Sequence, residues 1–237
     1  MNEKKEIIKF SHVCRYYEYD GGVIKANDDI NFTINEGELV IILGDSGAGK
    51  STTLNMLGGM DSPTSGEIIV DGKNITTMNE NDLTNYRRKD IGFVFQFYNL
   101  VQNLTIKENV ELSTQISDHP FDPVETLEKV GLKERLNNFP SQISGGEQQR
   151  ASIARAIAKN PRILLCDEPT GALDYKTGKM ILSLLQQINE KYNITVIIIT
   201  HNSLIKTIGD RIITFKSGHI ASIEENTNPT NIEDLEW

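Results

Sequence analysis

The chain has 237 residues, of which 38% are hydrophobic and 24% charged, and its formal net charge is −9. That length can form one globular domain, and the acidic balance argues against a general nucleic-acid binder, which would present a basic surface. The longest apolar runs are far short of the roughly 20 residues that span a bilayer. The opening "MNEKKEIIKF" has lysines but no continuous apolar core, so it does not read as a secretory signal. A cytoplasmic protein, able to bind a membrane partner, is expected. Cys14 and Cys166 have no metal-ligand spacing and are too few for a disulfide framework. Cys166 lies in an apolar run and reads as a small buried thiol.

In chain order, the first informative element is "ELVIILG" at 38–44, a continuous apolar run that predicts a strand buried on both faces. It leads into "GDSGAGKST", which fits G-x-x-x-x-G-K-[ST]. Small residues let successive N–H groups curl around an anion, and the helix start in "KSTTLNML" follows. In a phosphate loop of this kind Lys50 reaches the β- and γ-phosphates and the Ser51 hydroxyl ligates magnesium. A second run, "IGFVFQ" at 91–96, ends in Gln96. Next, "ISGGEQQR" at 143–150 opens a long helix. Ser144 and Glu147 have capping-box spacing, whereas Gly145 and Gly146 suit close approach of a ligand to the backbone. A cap and an anion site both remain open from the residues alone.

The third run, "RILLCDE" at 162–168, carries Asp167 out of a buried strand, where an unpaired carboxylate is costly and a cation partner such as magnesium is expected. Glu168 can point elsewhere, toward a water in line with a γ-phosphate. In "KTGKMILSLLQQINEKY" the residues Met180, Ile181, Leu184, Leu185 and Ile188 form one helical stripe. The fourth run, "TVIIITH" at 195–201, ends in His201. Strands alternating with helices predict a mostly parallel sheet, and ligands of such sheets bind at the carboxyl ends of the strands. All four runs deliver their special residues there. Gln96 could touch magnesium or the attacking water and His201 could donate to the γ-phosphate, or each could be an ordinary hydrogen-bonded residue. The final stretch "EENTNPTNIEDLEW" predicts a mobile polar tail that is docked only near Trp237.

Together these residues resemble the nucleotide-binding subunit of an ATP-binding cassette (ABC) transporter over about residues 7–220. The motifs stand in family order: the phosphate loop (Gly44, Ser46, Gly47, Ala48, Gly49, Lys50, Ser51, Thr52), Gln96, the signature Ser144–Glu147, Asp167–Glu168, "GALD" ending in Asp174, and His201. The resemblance implies a P-loop α/β fold with an N-terminal antiparallel region and a helical subdomain at about 97–142, the chain forming one domain with its polar tail from about 221. It implies ATP and Mg²⁺ as ligands, with Tyr17 stacking on adenine and Tyr16 as the alternative. Metal contacts fall to Ser51, Gln96 and Asp167, and catalysis to Glu168, His201 and Gln96. It further implies a head-to-tail homodimer in which Ser144, Gly145, Gly146 and Glu147 of one copy face the nucleotide of the other.

Closer similarity, in "LTNYRRKDIGFVFQFYNL" and "DEPTGALD", is to lipoprotein-releasing, macrolide-export and antimicrobial-peptide-resistance ATPases. That group implies export or mechanotransmission through a separate transmembrane permease with a large extracytoplasmic domain, received near Gln96, where "FQFYNL" could line a groove or simply pack. A regulatory adaptor of a cell-division or wall-hydrolase membrane complex would carry the same ATP motifs. The signature departs from the common leucine-serine-glycine-glycine-glutamine at Ile143 and Glu147, and retained activity is expected. Asp45, beside the phosphate loop, is expected to point away from the nucleotide.

Overall fold

The computed structural model describes residues 5–235. Two long strands come first, β1 (Glu6–Tyr19) and β2 (Gly22–Asn35), followed by β3 (Leu39–Leu43) and α1 (Lys50–Leu57). After β4 (Ser65–Val70), β5 (Lys73–Asn74) and α2 (Glu80–Lys89), the chain enters β6 (Ile91–Val94). Helices α3 (Ile106–Thr114), α4 (Pro123–Lys129) and α5 (Gly145–Ala158) then lead to β7 (Ile163–Asp167). The last elements are α6 (Tyr175–Tyr192), β8 (Thr195–Thr200), β9 (Arg211–Lys216) and β10 (His219–Glu225). A four-stranded antiparallel sheet has the order β2-β1-β4-β5, and a six-stranded sheet the order β10-β9-β3-β8-β7-β6. Neighbours from β9 to β6 are parallel, and β10 adds an antiparallel edge.

The four apolar runs are β3, β6, β7 and β8, and they lie side by side. Their composition follows from burial on both faces. Val40 and Ile42 of β3 enter a core shared with Phe10, Ile30 and Leu54, whereas Leu39, Ile41 and Leu43 enter one shared with Ile181, Leu185 and Ile205. Alternate side chains of a strand point to opposite faces, so a strand covered on both sides is apolar along its interior. Cys166 is fully buried in the second core. A third core joins α3, α4 and one face of α5 through Leu100, Ile106, Val110, Leu127, Ala151 and Ala154.

Two local expectations change. The buried face of α6 is formed by Ile181, Leu182, Leu185 and Ile188, while Met180 is 46% exposed. The stripe is therefore turned toward Leu182, because α6 packs against both the sheet and the C-terminal segment. That segment, expected to be a mobile tail, is docked as far as Leu235. Ile232 is fully buried, its N–H donates to Gln186 Oε1 at 3.1 Å, and Lys179 Nζ donates to the carbonyls of Glu233 and Leu235. Two apolar residues in "NIEDLEW" suffice to anchor it. The expected docking of Trp237 lies outside the described residues.

At the opposite end of the sheet from the phosphate loop, Arg211 and Glu38 form a buried bidentate pair, with Nε–Oε2 at 2.9 Å and Nη2–Oε1 at 3.1 Å. Burial by itself would raise the Glu38 carboxyl, but hydrogen bonds from Arg211 and Asn35 and the guanidinium charge outweigh it and hold the group below its ordinary value of 4.5. A lowered folded-state pKa contributes stability that is complete above the ordinary value and is lost as the pH falls through the lowered one. Arg211→Met leaves Glu38 buried and unpaired, and should cost about 3–5 kcal/mol near neutral pH. In the variant the Asn35 hydrogen bonds remain but the guanidinium is gone, so burial weighs more on Glu38 and acid protonates it more readily in the folded state. Urea denaturation of both proteins should show the gap narrowing below pH 4.5; a gap independent of pH would mean that Arg211 acts by packing alone.

Candidate active site

The carboxyl ends of β3, β6, β7 and β8 open into a groove of about 880 Å³. It is lined by Tyr17, Ser46, Gly47, Gly49, Lys50, Ser51, Thr52, Gln96, Asp167, Glu168 and His201. Thus one phosphate loop, two carboxylates, an amide and an imidazole from four strand ends share a single space. Gly44 and Ala48 do not line it, and Ala48 is buried beneath the loop.

The loop conformation depends on glycine at a definite point. Gly49 has φ 98°, and a Cβ there would meet the Ala26 carbonyl oxygen at 2.3 Å. The loop thereby packs directly on the β2 backbone, and Asn27 Nδ2 donates to Gly49 O (3.3 Å) and to Thr53 Oγ1 (2.9 Å). From the other side, the β9–β10 turn donates Gly218 N–H to Ala48 O at 3.1 Å. Lys50 is only 6% exposed, and its Nζ donates to the carbonyls of Gly44 (2.7 Å) and Asp45 (2.9 Å). The lysine is therefore part of the loop's own architecture and not a free surface side chain. Asp45 is exposed and lies outside the groove lining.

Ser51 Oγ donates to Asp167 Oδ1 at 3.3 Å. Burial pushes the Asp167 carboxyl up; the Ser51 hydrogen bond and the Lys50 charge pull the other way, while the Glu168 charge adds to the rise. A half-buried carboxylate disfavoured by its surroundings, beside a hydroxyl and near a glutamine amide, is an oxygen donor set that fits a hard divalent cation. Among the described residues no cluster of three or more His, Cys, Asp or Glu offers a competing metal site. Glu168 adopts φ 47°, a left-handed conformation uncommon for this residue type. Its Oε1 lies 2.9 Å from His201 Nδ1, so the two groups reach the groove as a pair.

Of the two tyrosines, Tyr17 lines the groove and Tyr16 does not. The Tyr17 hydroxyl donates to Asp61 at 2.7 Å, and the Arg15 guanidinium lies 4.5 Å from its ring centre. The Tyr16 hydroxyl is engaged by Asp28 on the other face of β1. Sequence motifs missed the remaining lining residues, Ile24, Lys25, Ala26, Ser217 and Gly218. They come from β2 and the β9–β10 turn, and Ala26 and Gly218 act on the loop through their backbone; the "KSG" turn was the one available signal.

The signature lies elsewhere. Ser144, Gly145, Gly146, Glu147 and Asp174 do not line the groove. Ser144 caps α5, with its Oγ accepting from Glu147 N at 3.3 Å while the Ser144 N–H donates to Glu147 Oε2 at 2.8 Å. Asp174 caps α6 through Thr177 N at 3.1 Å. The two glycines also have a packing reason: a Cβ would meet Tyr98 Oη at 2.7 Å from Gly145 and Thr177 Cγ2 at 2.3 Å from Gly146. Sequence reasoning read these glycines for close approach of a ligand alone, and the close neighbours add a packing requirement.

Fold and groove define a P-loop nucleotide-binding cassette. The ABC transporter family model matches residues 27–171, and the chain belongs to that family as an ABC ATPase cassette. The ABC transporter ATP-binding protein MJ0796 of Methanocaldococcus jannaschii is 43% identical over 228 residues, covering 92% of this chain and 97% of that protein. The MG065 homolog of Mycoplasma pneumoniae, an ABC transporter ATP-binding protein, is 39% identical over 238 residues. The chain spans about half the length of that relative, 51%, and 99% of its own. A dimeric structure of MJ0796, in a post-hydrolysis state bound to ADP and Pi, superposes with a TM-score of 0.85 at 41% identity, covering 92% of this chain and 98% of that one.

On the expectation that Lys50 makes a charge-assisted contact to the phosphates, Lys50→Ala should abolish tight ATP binding. The fold should persist, because the lost partners, Gly44 O and Asp45 O, belong to a loop that is open to water rather than to the core. Nucleotide titration and circular dichroism test this; undiminished ATP affinity would remove Lys50 from the site.

Proposed function

We propose that the chain is the ATP-hydrolysing subunit of a membrane ABC export or mechanotransmission complex, working as a head-to-tail pair on the inner face of the cell membrane. The observation that carries the two-copy reading is the separation of the signature from the groove. Lys50, Asp167, Glu168 and His201 share one space, while Ser144 to Glu147 end a helix outside it. A second copy, turned head to tail, would bring its own helix end to the exposed phosphates, and the dimeric form of MJ0796 supports such an arrangement. Similarity of "DEPTGALD" and its neighbouring phrases to the lipoprotein-releasing and macrolide-export group supports the export role. No helix among the described residues is long and apolar enough to cross a membrane, so passage would belong to a separate permease with an extracytoplasmic domain.

In this reading Tyr17 stacks on the adenine, and the loop N–H groups with Lys50 hold the phosphates. Ser51, Asp167 and Gln96 would hold Mg²⁺, which neutralises phosphate charge when bound. Glu168 orients and deprotonates the attacking water. His201, already paired with Glu168, fixes that carboxylate and presents its other ring nitrogen to the γ-phosphate. Chemistry of this kind needs mostly positioning, which strand ends on a rigid sheet provide.

Glu168→Gln should retain ATP binding and lose most hydrolysis, because the amide keeps the shape and loses the base. The unhydrolysed nucleotide then holds two copies together, since each would touch both. Size-exclusion chromatography in ATP buffer containing Mg²⁺ should show dimer more readily for this variant than for wild type, which consumes the nucleotide. Hydrolysis at the wild-type rate would exclude Glu168 as the base.

Ser144→Arg separates capping from a two-copy site. A lost cap alone would cost about 1 kcal/mol of stability and leave hydrolysis nearly intact in folded protein. An arginine facing the other copy's phosphate should leave ATP binding through Lys50 normal and abolish hydrolysis. Mixing Ser144→Arg with Lys50→Ala chains should return part of the activity, because one intact loop then faces one intact signature. Full activity of Ser144→Arg alone would overturn the two-copy reading.

A further inference from the structure

The glutamate in the signature creates an electrostatic problem that the surrounding structure answers. Glu147 folds back over the start of α5: Oε2 accepts from Ser144 N at 2.8 Å and from Ser144 Oγ at 2.9 Å. The carboxylate thus occupies the donors that would meet a γ-phosphate, and it would repel that phosphate. Its other oxygen, Oε1, is held at 2.8 Å by Arg135 Nε. Arg135 comes from a short 3-10 turn, Lys133–Arg135, in the helical layer after α4. The Arg135 hydrogen bond, followed by the Ser144 N–H, holds the Glu147 carboxyl down at about 2. Among the described residues only Arg135 pairs directly with this carboxylate; Arg150 meets it by charge alone. Arg150, one turn along α5, has Nη1 turned to Met180 Sδ at 3.3 Å, and Lys133 is paired with Glu128. A glutamine at 147 could cap the same N–H groups without a charge to cancel.

We infer that Arg135 is a positioning residue of the two-copy ATP site, neutralising and pinning Glu147 so that the signature can accept the other copy's γ-phosphate. This rests on the two-copy reading above. The pair has a second consequence, since it ties the helical layer to the signature by a side-chain bridge. The guanidinium holds the carboxylate on one side, so Ser144 Oγ can turn its hydrogen to an incoming phosphate without freeing a negative charge beside it.

The test is a double-mutant cycle read by the protein concentration that gives half-maximal ATPase activity at saturating ATP. Arg135→Ala leaves Glu147 unneutralised and should raise that concentration by about ten- to a hundredfold, the scale expected for one unscreened like charge a few ångströms from the phosphate. ATP affinity of the dilute single chain, set at Lys50, should not move. Combining Arg135→Ala with Glu147→Gln should return the concentration to that of Glu147→Gln alone, because no carboxylate then remains to be neutralised. If the ion pair were only structural, the two single variants would break the same contact and be equally impaired, and the double variant would be no better than Arg135→Ala. That pattern, or wild-type behaviour of Arg135→Ala, would overturn the inference. Failure of the underlying reading is distinguishable, because Ser144→Arg would then be fully active.

Discussion

Everything at this site depends on one constraint: a loop that presents backbone N–H groups to an anion must be held open by contacts from outside itself. Here β2 lies against Gly49 so closely that no side chain fits, and the β9–β10 turn hydrogen-bonds the Ala48 carbonyl from the other side. The antiparallel N-terminal sheet therefore does more than cover one face of the core. It supplies Asn27, buried and bonded to both Gly49 and Thr53, as a brace beneath the loop. Tyr17 emerges from the same sheet to form the groove's far wall.

The parallel sheet supplies the second half of the geometry. Four adjacent strands, apolar along their interiors, run the same way in the sheet, and the residues at or just beyond their carboxyl ends are the phosphate loop, Gln96, Asp167 with Glu168, and His201. Burial then acts directly on the chemistry. Asp167 is the last residue of β7, buried enough for its charge to be disfavoured and near enough to Ser51 for a cation to relieve that. Glu168 follows in a left-handed conformation that turns it toward His201. Fold and site share one cause, the abrupt edge between dry sheet and open groove.

Much of this was legible in the chain because the signals are local. A continuous apolar run followed by small residues and a lysine specifies strand, loop and helix within 20 positions, and 38–57 folds that way. The four runs are legible for the same reason, as a strand buried on both faces must be apolar along its interior. What sequence could not show depends on distant backbone. Ala26 and Gly218 shape the groove through carbonyl and N–H positions, which carry no side-chain signature. The packing need for Gly146 comes from Thr177, 31 positions away. The segment after 225 looked polar on average, and the average hid Ile232 and Leu235, whose burial against α6 decides its course. Arg135 carried no motif at all; its meaning comes from reaching Glu147 across the helical layer.

Lys50 has a consequence beyond phosphate binding. With its ammonium held by the Gly44 and Asp45 carbonyls, the loop satisfies its own strongest charge before any nucleotide arrives. In the proposed function, arrival of phosphate is an exchange of partners for Lys50, not the ordering of a collapsed segment. Departure is the same exchange in reverse, with the carbonyls ready to take the ammonium back as the spent nucleotide leaves. Such a cradle does not have to refold between turnovers. Its emptying and refilling can follow the concentrations of the two nucleotides around it, and under the proposed pairing the slow step of the cycle is left to the meeting and parting of two copies.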